Sequence, residues 1–215
     1  PEIKTITLAN LSIKSNGKKE VISKQEINDI KEIEKLGKYV VFVSTIEPRK
    51  NHRMLIEIWK RLYKQFKDDC PVLLFIGKIG WGVEDLLEEL ERLEVTKAKK
   101  IIIKSNVDDE LLINFYKNCL FAVNPSLYEG WGLSANEALA YGKLCLCSNN
   151  SSLPEATQNL AIYYHPLDFP NWYEEICKLI VDKSYLEEHE NIIVNNFSQK
   201  SWADFTQEFL EWVVS

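Results

Sequence analysis

Two glutamates in a glycine-rich stretch carry the residue types best suited to chemistry in this chain. Glu129 and Glu137 are separated by seven residues, and Gly130 and Gly132 flank Trp131 directly after the first of them. A carboxylate that accepts hydrogen bonds from a ligand's hydroxyls gains about 1.5–3 kcal/mol for each bond. Beside a diphosphate it would be repelled by roughly 4 kcal/mol at 4 Å, at an effective dielectric constant of about 20. We therefore expect both glutamates to face the hydroxyl-rich ends of a ligand, although an exposed turn residue and a solvated helix residue remain alternatives.

The cations suited to such a diphosphate lie elsewhere in the chain. Arg49 and Lys50 belong to the run Glu-Pro-Arg-Lys-Asn-His at 47–52, which leads directly into a predicted helix. A helix N-terminus offers free N–H groups and the positive end of the helix dipole. Arg49 adds a planar fork of donors and Lys50 adds a point charge. This combination favours two linked phosphates, while an exposed turn with two solvated cations fits the same residues.

Two further loops carry weaker signals. Residues 77–82 contain three glycines but match neither the dinucleotide pattern G-x-G-x-x-G nor a Walker loop. Glycines permit close backbone approach, either to a ligand or to another loop, and Trp81 is a candidate for lining a ligand cleft. In the stretch 105–109, Asp108 or Asp109 is a candidate helix N-cap, and the main chain at Val107 is a candidate contact for a base. The histidines are interpreted as structural, with a ligand contact as the alternative for His52.

Alternating periodicities predict the elements that position these loops. Short apolar runs predict strands at 39–44, 72–77, 100–104, 120–124, 144–148 and 160–164. Helical spacing fills the intervals at 54–66, 84–93, 110–118 and 134–141, and continues at 172–181, 185–195 and 202–213. This alternation predicts an α/β fold, a Rossmann-like parallel sheet with helices on both faces. Ligands of such sheets bind at the carboxyl ends of the strands, where the four loops above meet.

The composition bounds the class of protein. The 215 residues are 46% hydrophobic and 27% charged, which excludes intrinsic disorder, a collagen repeat and a disulfide-knotted miniprotein. A formal charge of −6 argues against non-specific nucleic-acid binding. The five cysteines form no metal-binding pattern, are all expected to be buried, and favour a reducing cytoplasmic compartment. The apolar runs are shorter than the ~18–20 residues that a membrane-spanning helix needs.

The residues around the two glutamates resemble the E-x7-E motif of retaining glycosyltransferases of family 4, which have the two-domain GT-B fold. The matching runs are Pro-Ser-Leu-Tyr-Glu-Gly-Trp-Gly-Leu at 125–133 and Glu-Ala-Leu-Ala-Tyr-Gly at 137–142. Residues 41–52 are similar to the family's diphosphate-binding segment, and residues 151–155 and 164–168 are similar to further family segments. The resemblance extends from about residue 37 to the end of the chain.

The resemblance implies a role for each of these residues. Arg49 and Lys50 would hold the donor's diphosphate and stabilise charge on the departing nucleotide, and Glu129 would contact hydroxyls of the transferred sugar. These three are the expected catalytic residues. Glu137 is expected to bind the ribose. The other expected donor-binding residues are Val107 and Asp109 near the nucleobase, and Gly130, Trp131, Gly132 and Leu133 around the sugar phosphate. The implied donor is a GDP- or UDP-linked sugar of mannose-like or related hexose type, and neither a metal nor a cofactor is implied.

The family pattern also has departures here. Ser44 and Thr45 stand where a glycine-arginine pair is frequent, Trp131 stands where phenylalanine is common, and Ser134 stands where proline is common. The departure at 44–45 removes one possible phosphate contact, and Ser134 offers a hydroxyl as a substitute contact.

The domain organisation follows from the same resemblance. Residues 1–36, with a strand expected at 3–8 and a helix at 24–36, are interpreted as a connector or the end of an acceptor-binding N-terminal domain. Residues 37–215 are then one half of a GT-B architecture, inactive or weakly active alone. The full-length enzyme would be cytoplasmic, with peripheral association at the inner membrane face and a polysaccharide or lipid-linked acceptor. The alternatives are half of another GT-B-like enzyme, such as a nucleotide-sugar epimerase, and a non-catalytic nucleotide-sugar-binding module.

Overall fold

A computed structural model describes residue 31, residues 33–199 and residues 202–214 of the chain. The strand expected at 3–8 lies outside the described residues, as does most of the helix expected at 24–36. The part of that helix that is described, at 31 and 33–36, is helical.

All six predicted strands are present and form one parallel sheet. They are β1 (Tyr39–Val43), β2 (Val72–Ile76), β3 (Ile101–Lys104), β4 (Ala122–Asn124), β5 (Cys145–Ser148) and β6 (Ile162–Tyr164). The order across the sheet is β3-β2-β1-β4-β5-β6, with Val41 paired to Leu74 on one side and to Ala122 on the other. The order of strands reverses between β1 and β4, so the loops after these two strands form the switch-point crevice. The Rossmann-like prediction is confirmed.

Helices connect the strands along the chain, and three further helices follow β6 in the described part of the chain. Their bounds are α1 (His52–Phe66), α2 (Glu84–Arg92), α3 (Glu94–Lys97), α4 (Asp109–Asn118), α5 (Leu133–Ala140), α6 (Leu153–Ala156), α7 (Phe169–Val181), α8 (Lys183–Asn196) and α9 (Trp202–Val214). The seven helices predicted from periodicity match within three residues at each end. The four-residue helices α3 and α6 were not predicted, because one helical turn is too short to establish a period.

Apolar spacing explains how the longest of these helices is held. On α1 the residues Leu55, Ile58, Trp59 and Leu62 are fully buried, which is the i, i+3, i+4, i+7 pattern of a single apolar face. The Trp59 indole also donates a hydrogen bond to the Pro71 carbonyl at 2.9 Å, at the entrance to β2. The helix that follows the β1 loop is therefore fixed both by packing and by a polar contact.

The cysteines depart from expectation at one position. Cys70, Cys119, Cys145 and Cys147 are buried, whereas Cys177 on α7 is only partly buried, packed against the core beside the buried Ile176. Within β5, the Sγ atoms of Cys145 and Cys147 are 3.3 Å apart, which confirms that the two side chains share one face of the strand.

The glycine-rich loop after β2 packs against the loop after β1. A Cβ atom at Gly77 would lie 2.0 Å from the Ser44 carbonyl oxygen, and one at Gly80 would lie 2.9 Å from the Ile46 oxygen. Ile46 donates to the Lys78 carbonyl at 2.9 Å and accepts from the Gly80 amide at 2.9 Å. The close approach that these glycines permit is thus between two loops, and it supports the loop that carries Arg49 and Lys50.

We predict that Gly77→Ala lowers the free energy of unfolding by roughly 2–4 kcal/mol, because the added methyl overlaps backbone atoms that have no room to move. Gly130→Ala is the matched control, since a Cβ atom there meets nothing within 4 Å. Urea denaturation of both variants measures the difference. Equal stability of the two would contradict the packing described for these loops.

Candidate functional site

A cleft of about 410 Å³ opens at the carboxyl edge of the sheet, at the switch point between β1 and β4. Val43 and Leu112 line it together with seven residues that the sequence singled out. These are Ser134, the predicted substitute contact, and the site residues Lys50, Glu129, Trp131, Gly132, Leu133 and Glu137. The fold therefore brings together residues that are up to 87 positions apart in the chain, from Lys50 to Glu137.

The centre of the cleft is the buried carboxylate of Glu129. Its Oε1 accepts hydrogen bonds from Lys50 Nζ at 2.6 Å and from Ser126 Oγ at 2.8 Å, while Arg49 Nη1 lies 3.3 Å from Oε2. Burial alone would raise the pKa of Glu129, but the bond and charge of Lys50, the Ser126 hydroxyl and the Arg49 charge together lower it. Glu129 is therefore an ionised group near neutral pH, neutralised by two cations.

Arg49 connects the loops that follow β1 and β4. Its Nη2 donates to Glu47 Oε1 at 2.6 Å, and its Nη1 donates to the Tyr128 carbonyl as well as approaching Glu129. Arg49 lies beside the cleft residues, with 39% of its side chain exposed, whereas the side chain of Lys50 is 13% exposed. A planar guanidinium held by acceptors on both loops fixes their spacing.

The backbone around Glu129 is clamped by the turn that follows β5. The Glu129 amide donates to Ser151 Oγ at 3.0 Å, and Ser152 Oγ donates to the Glu129 carbonyl at 3.1 Å. From the other side, the Leu127 amide donates to the Arg49 carbonyl at 2.8 Å. These contacts fix the main chain of the loop on both sides of Glu129. Its carboxylate therefore has little freedom to move.

Glu137 lies on α5 and lines the same cleft as Glu129. Its Oε2 accepts a hydrogen bond from the Tyr116 hydroxyl at 3.1 Å. Burial raises the pKa of Glu137, the Tyr116 bond opposes that rise and the nearby charge of Asp109 adds to it. Glu129 and Glu137 thus have pKa values displaced in opposite directions, which is frequent among groups of a functional site.

The glycine-rich loop enters α5 in a conformation suited to binding an anion. Gly132 precedes the helix with φ +95°, and a Cβ atom there would lie 2.7 Å from Leu153 Cδ2. The amides of Leu133 and Ser134 belong to the first turn of α5, where N–H groups have no acceptor within the helix and are available to an anion. The Trp131 Nε1 atom is buried without a hydrogen-bond partner among the residues that the structure describes.

Val107, Asp109, Gly130 and Trp81, which the sequence also singled out, are not among the residues that line the cleft. Val107 is partly buried against the core, and Asp109 is exposed at the first position of α4, which Asp108 caps by accepting from the Leu111 amide at 2.8 Å. Gly130 is exposed in the loop, with open space where a Cβ atom would stand. Trp81 is 68% exposed and does not line the cleft.

His52 has the structural role that the sequence favoured. It is 2% exposed, with ring centroids of Phe42 and Phe75 each 4.8 Å from its own. Burial lowers the pKa of His52 to about 3, so the imidazole is neutral. Its Nε2 lies 3.3 Å from Ser44 Oγ, a contact that joins the end of β1 to the start of α1.

Sequence reasoning missed several residues that hold the site, because they act only through tertiary contacts. These are Glu47, Tyr116, Ser126, Ser151 and Ser152. Within the described part of the chain, no cluster of histidine, cysteine and acidic side chains is arranged to hold a metal ion. None of the described helices has the length and apolarity to cross a bilayer.

The sheet order and the switch-point cleft define a Rossmann-like layer of the kind found in GT-B glycosyltransferases. An α,α-trehalose-phosphate synthase (UDP-forming) from Burkholderia xenovorans, solved with glucose-6-phosphate, shares this fold with a TM-score of 0.71 at 12% identity. The aligned region covers 90% of this chain and 47% of that one. Residues 23–198 match the family described as Glycosyl transferases group 1, and the chain belongs to this family.

Two curated relatives from Escherichia coli are similar in sequence. O-antigen chain mannosyltransferase B is 31% identical over 170 residues, which is 79% of this chain and 44% of that protein. Serotype-specific mannosyltransferase WbdA is 28% identical over 183 residues, which is 85% of this chain and 22% of that protein. The chain thus spans less than half the length of either relative.

Because the pKa values of Glu129 and Glu137 are displaced in opposite directions, substitutions of the two residues are expected to change stability in opposite directions. Glu129→Gln is expected to lower the free energy of unfolding near neutral pH by roughly 1–3 kcal/mol, because a lowered pKa means that the folded state favours the carboxylate. This contribution is present above the ordinary pKa of 4.5 and is lost as the pH falls through the folded value.

Glu137→Gln is the matched comparison. The raised pKa of Glu137 means that the folded state disfavours its charge, so this variant is expected to be more stable than the unsubstituted chain near neutral pH. The gain disappears below the ordinary pKa of 4.5, where the group is protonated in both states. Urea denaturation near neutral pH and at about pH 4 measures both effects. A loss of stability in both variants would contradict the electrostatic assignment.

Proposed function

We propose that this chain is the donor-binding part of a retaining glycosyltransferase that uses a nucleotide diphosphate sugar. The observation that carries the proposal is the convergence of Arg49 and Lys50 on the buried carboxylate of Glu129, at the switch point of the sheet. Two cations at hydrogen-bonding distance from a carboxylate occupy positions where they can instead bind the two linked phosphates of a donor. Membership in Glycosyl transferases group 1 supports the same function.

The chemistry required of these residues is stabilisation of the leaving group. When the bond between the sugar and the diphosphate breaks, negative charge develops on the departing nucleoside diphosphate. Lys50 and Arg49 would exchange their bonds to Glu129 and Glu47 for bonds to phosphate oxygens, and the amides of Leu133 and Ser134 would bind a further oxygen. Fixed donors aimed at developing charge are an efficient means of lowering a barrier.

The two glutamates would recognise the neutral parts of the donor. Glu129, released in part from its cations, would accept hydrogen bonds from hydroxyls of the transferred sugar. Glu137 would accept them from the ribose, with Val107 and Asp109 near the base and Gly130, Trp131 and Gly132 around the sugar phosphate. The Trp131 indole N–H, buried without a partner among the described residues, would gain an acceptor from such a ligand. No step of this scheme requires a metal ion.

The substrates are proposed from the relatives. Both curated relatives are named as mannosyltransferases, one of them for the O-antigen chain, which supports a mannose-like hexose and a polysaccharide or lipid-linked acceptor. The structural relative is named as UDP-forming, and the family resemblance implies a GDP- or UDP-linked donor, so UDP and GDP are the appropriate probes of the site. The acceptor would be bound by an N-terminal domain in the cytoplasm, at the inner membrane face, and the chain alone would transfer sugar weakly or not at all.

The proposal predicts that UDP or GDP binds to the chain and that Arg49→Ala weakens the affinity at least roughly tenfold, because charge-assisted bonds to phosphate are lost. Arg53→Ala is the matched control. Arg53 lies one helical turn further along, where it pairs with Glu89 at 2.8 Å and with Asp85, away from the cleft. Isothermal titration calorimetry measures the affinities.

Binding with the expected difference between these two variants would support the donor site. Absence of binding for both nucleotides would contradict the proposed function. Equal weakening in Arg49→Ala and Arg53→Ala would contradict the assignment of Arg49 to the diphosphate.

A further inference from the structure

Tyr116 lies beneath the cleft and contacts the residue proposed for the ribose. It belongs to α4 and is 1% exposed. Its hydroxyl oxygen lies 3.1 Å from Glu137 Oε2 and 3.1 Å from the Ser134 carbonyl oxygen, so its one proton is shared between these two acceptors. A single hydroxyl therefore connects α4 to the first turn of α5 and to the side chain that projects from it.

The surroundings of Tyr116 fix both its position and its role as a donor. Its ring stacks on Tyr141 with centroids 5.7 Å apart and planes inclined by 22°. Burial raises the pKa of Tyr116 well above its ordinary value, and the charge of Glu137 raises it further. The hydroxyl therefore keeps its proton and donates it toward the carboxylate.

Glu137 depends on this bond for its orientation. Among the residues that the structure describes, the Tyr116 hydroxyl is the hydrogen-bond partner found for the Glu137 side chain. The bond engages Oε2 and leaves Oε1 to accept from a ligand in the cleft that Glu137 lines. Without it, burial and the charge of Asp109 would both favour the protonated form of Glu137, which accepts hydrogen bonds less strongly than a carboxylate.

We propose that Tyr116 is a positioning residue for ribose recognition, which holds the Glu137 carboxylate in the orientation that accepts the hydroxyls of a nucleoside diphosphate. This inference rests on the proposed function, since it assumes that Glu137 faces the ribose. Tyr116, which does not line the cleft, would thereby contribute to the specificity of the ribose site.

The test compares a nucleotide that has both ribose hydroxyls with one that lacks them. We expect Tyr116→Phe to weaken binding of UDP or GDP roughly three- to tenfold, the equivalent of one ordinary hydrogen bond, because the substitution acts on the ribose only through Glu137. Binding of the 2′,3′-dideoxy form of the same nucleotide is expected to change little. The substitution removes one atom and retains the stacked ring, so the fold is retained, which thermal unfolding verifies.

Tyr141→Phe is the matched control. It removes a hydroxyl from the adjacent ring, and no hydrogen bond of that hydroxyl is found among the described residues. Its affinity for the ribonucleotide is expected to equal that of the unsubstituted chain. Calorimetric titrations of the three proteins with both nucleotides complete the comparison.

The outcomes separate the inference from the proposed function. If the unsubstituted chain binds neither nucleotide, or binds both equally well, the ribose assignment of Glu137 fails and the inference fails with it. If it prefers the ribonucleotide and Tyr116→Phe keeps that preference, only the inference is overturned. Equal weakening of both nucleotides in Tyr116→Phe also overturns it, because such a loss reflects packing and not ribose recognition.

Discussion

The site depends on the interaction of the buried Glu129 carboxylate with Lys50 and Arg49. Moving an ion out of water carries an effective penalty of several kcal/mol, so the buried Glu129 carboxylate and the largely buried Lys50 ammonium would not be stable in the crevice without each other. Because β1 and β4 are neighbours in the sheet, their loops meet, and the cations of one loop neutralise the carboxylate of the other. The positions of both loops are therefore interdependent, and a charge removed from either loop leaves an unpaired partner in the other.

The need to pair these charges explains how the loops after β1 and β4 are held at the edge of the sheet. The backbone of Glu129 is clamped by Ser151 and Ser152 so that its side chain meets the cations. The loop that bears the cations is supported from beneath by Gly77 and Gly80, which have no space for a side chain. Such contacts preorganise donors and acceptors before a ligand arrives, which reduces the reorganisation required at the moment of reaction.

The sequence predicted the features that depend on local periodicity or on the residue types within a single loop. Alternating apolar runs located the six strands. Because ligand-binding loops follow the carboxyl ends of parallel strands, Lys50, Glu129 and Glu137 were expected at one edge of the sheet. The contacts of Tyr116 and Ser151 with these residues span 21 and 22 positions, and no local pattern marks them. The direct neutralisation of Lys50 by Glu129 also escaped prediction, because the repulsion argument treated each carboxylate only in relation to a ligand and not to the cations.

The most direct test of this account is a crystal structure of the chain with a bound nucleoside diphosphate. We expect phosphate oxygens within hydrogen-bonding distance of Lys50 Nζ and the Arg49 guanidinium, with the ribose hydroxyls on Glu137. The separation of Lys50 Nζ and Glu129 Oε1, 2.6 Å without ligand, would lengthen as the lysine engages phosphate. A nucleotide bound elsewhere, with that separation unchanged, would contradict the account.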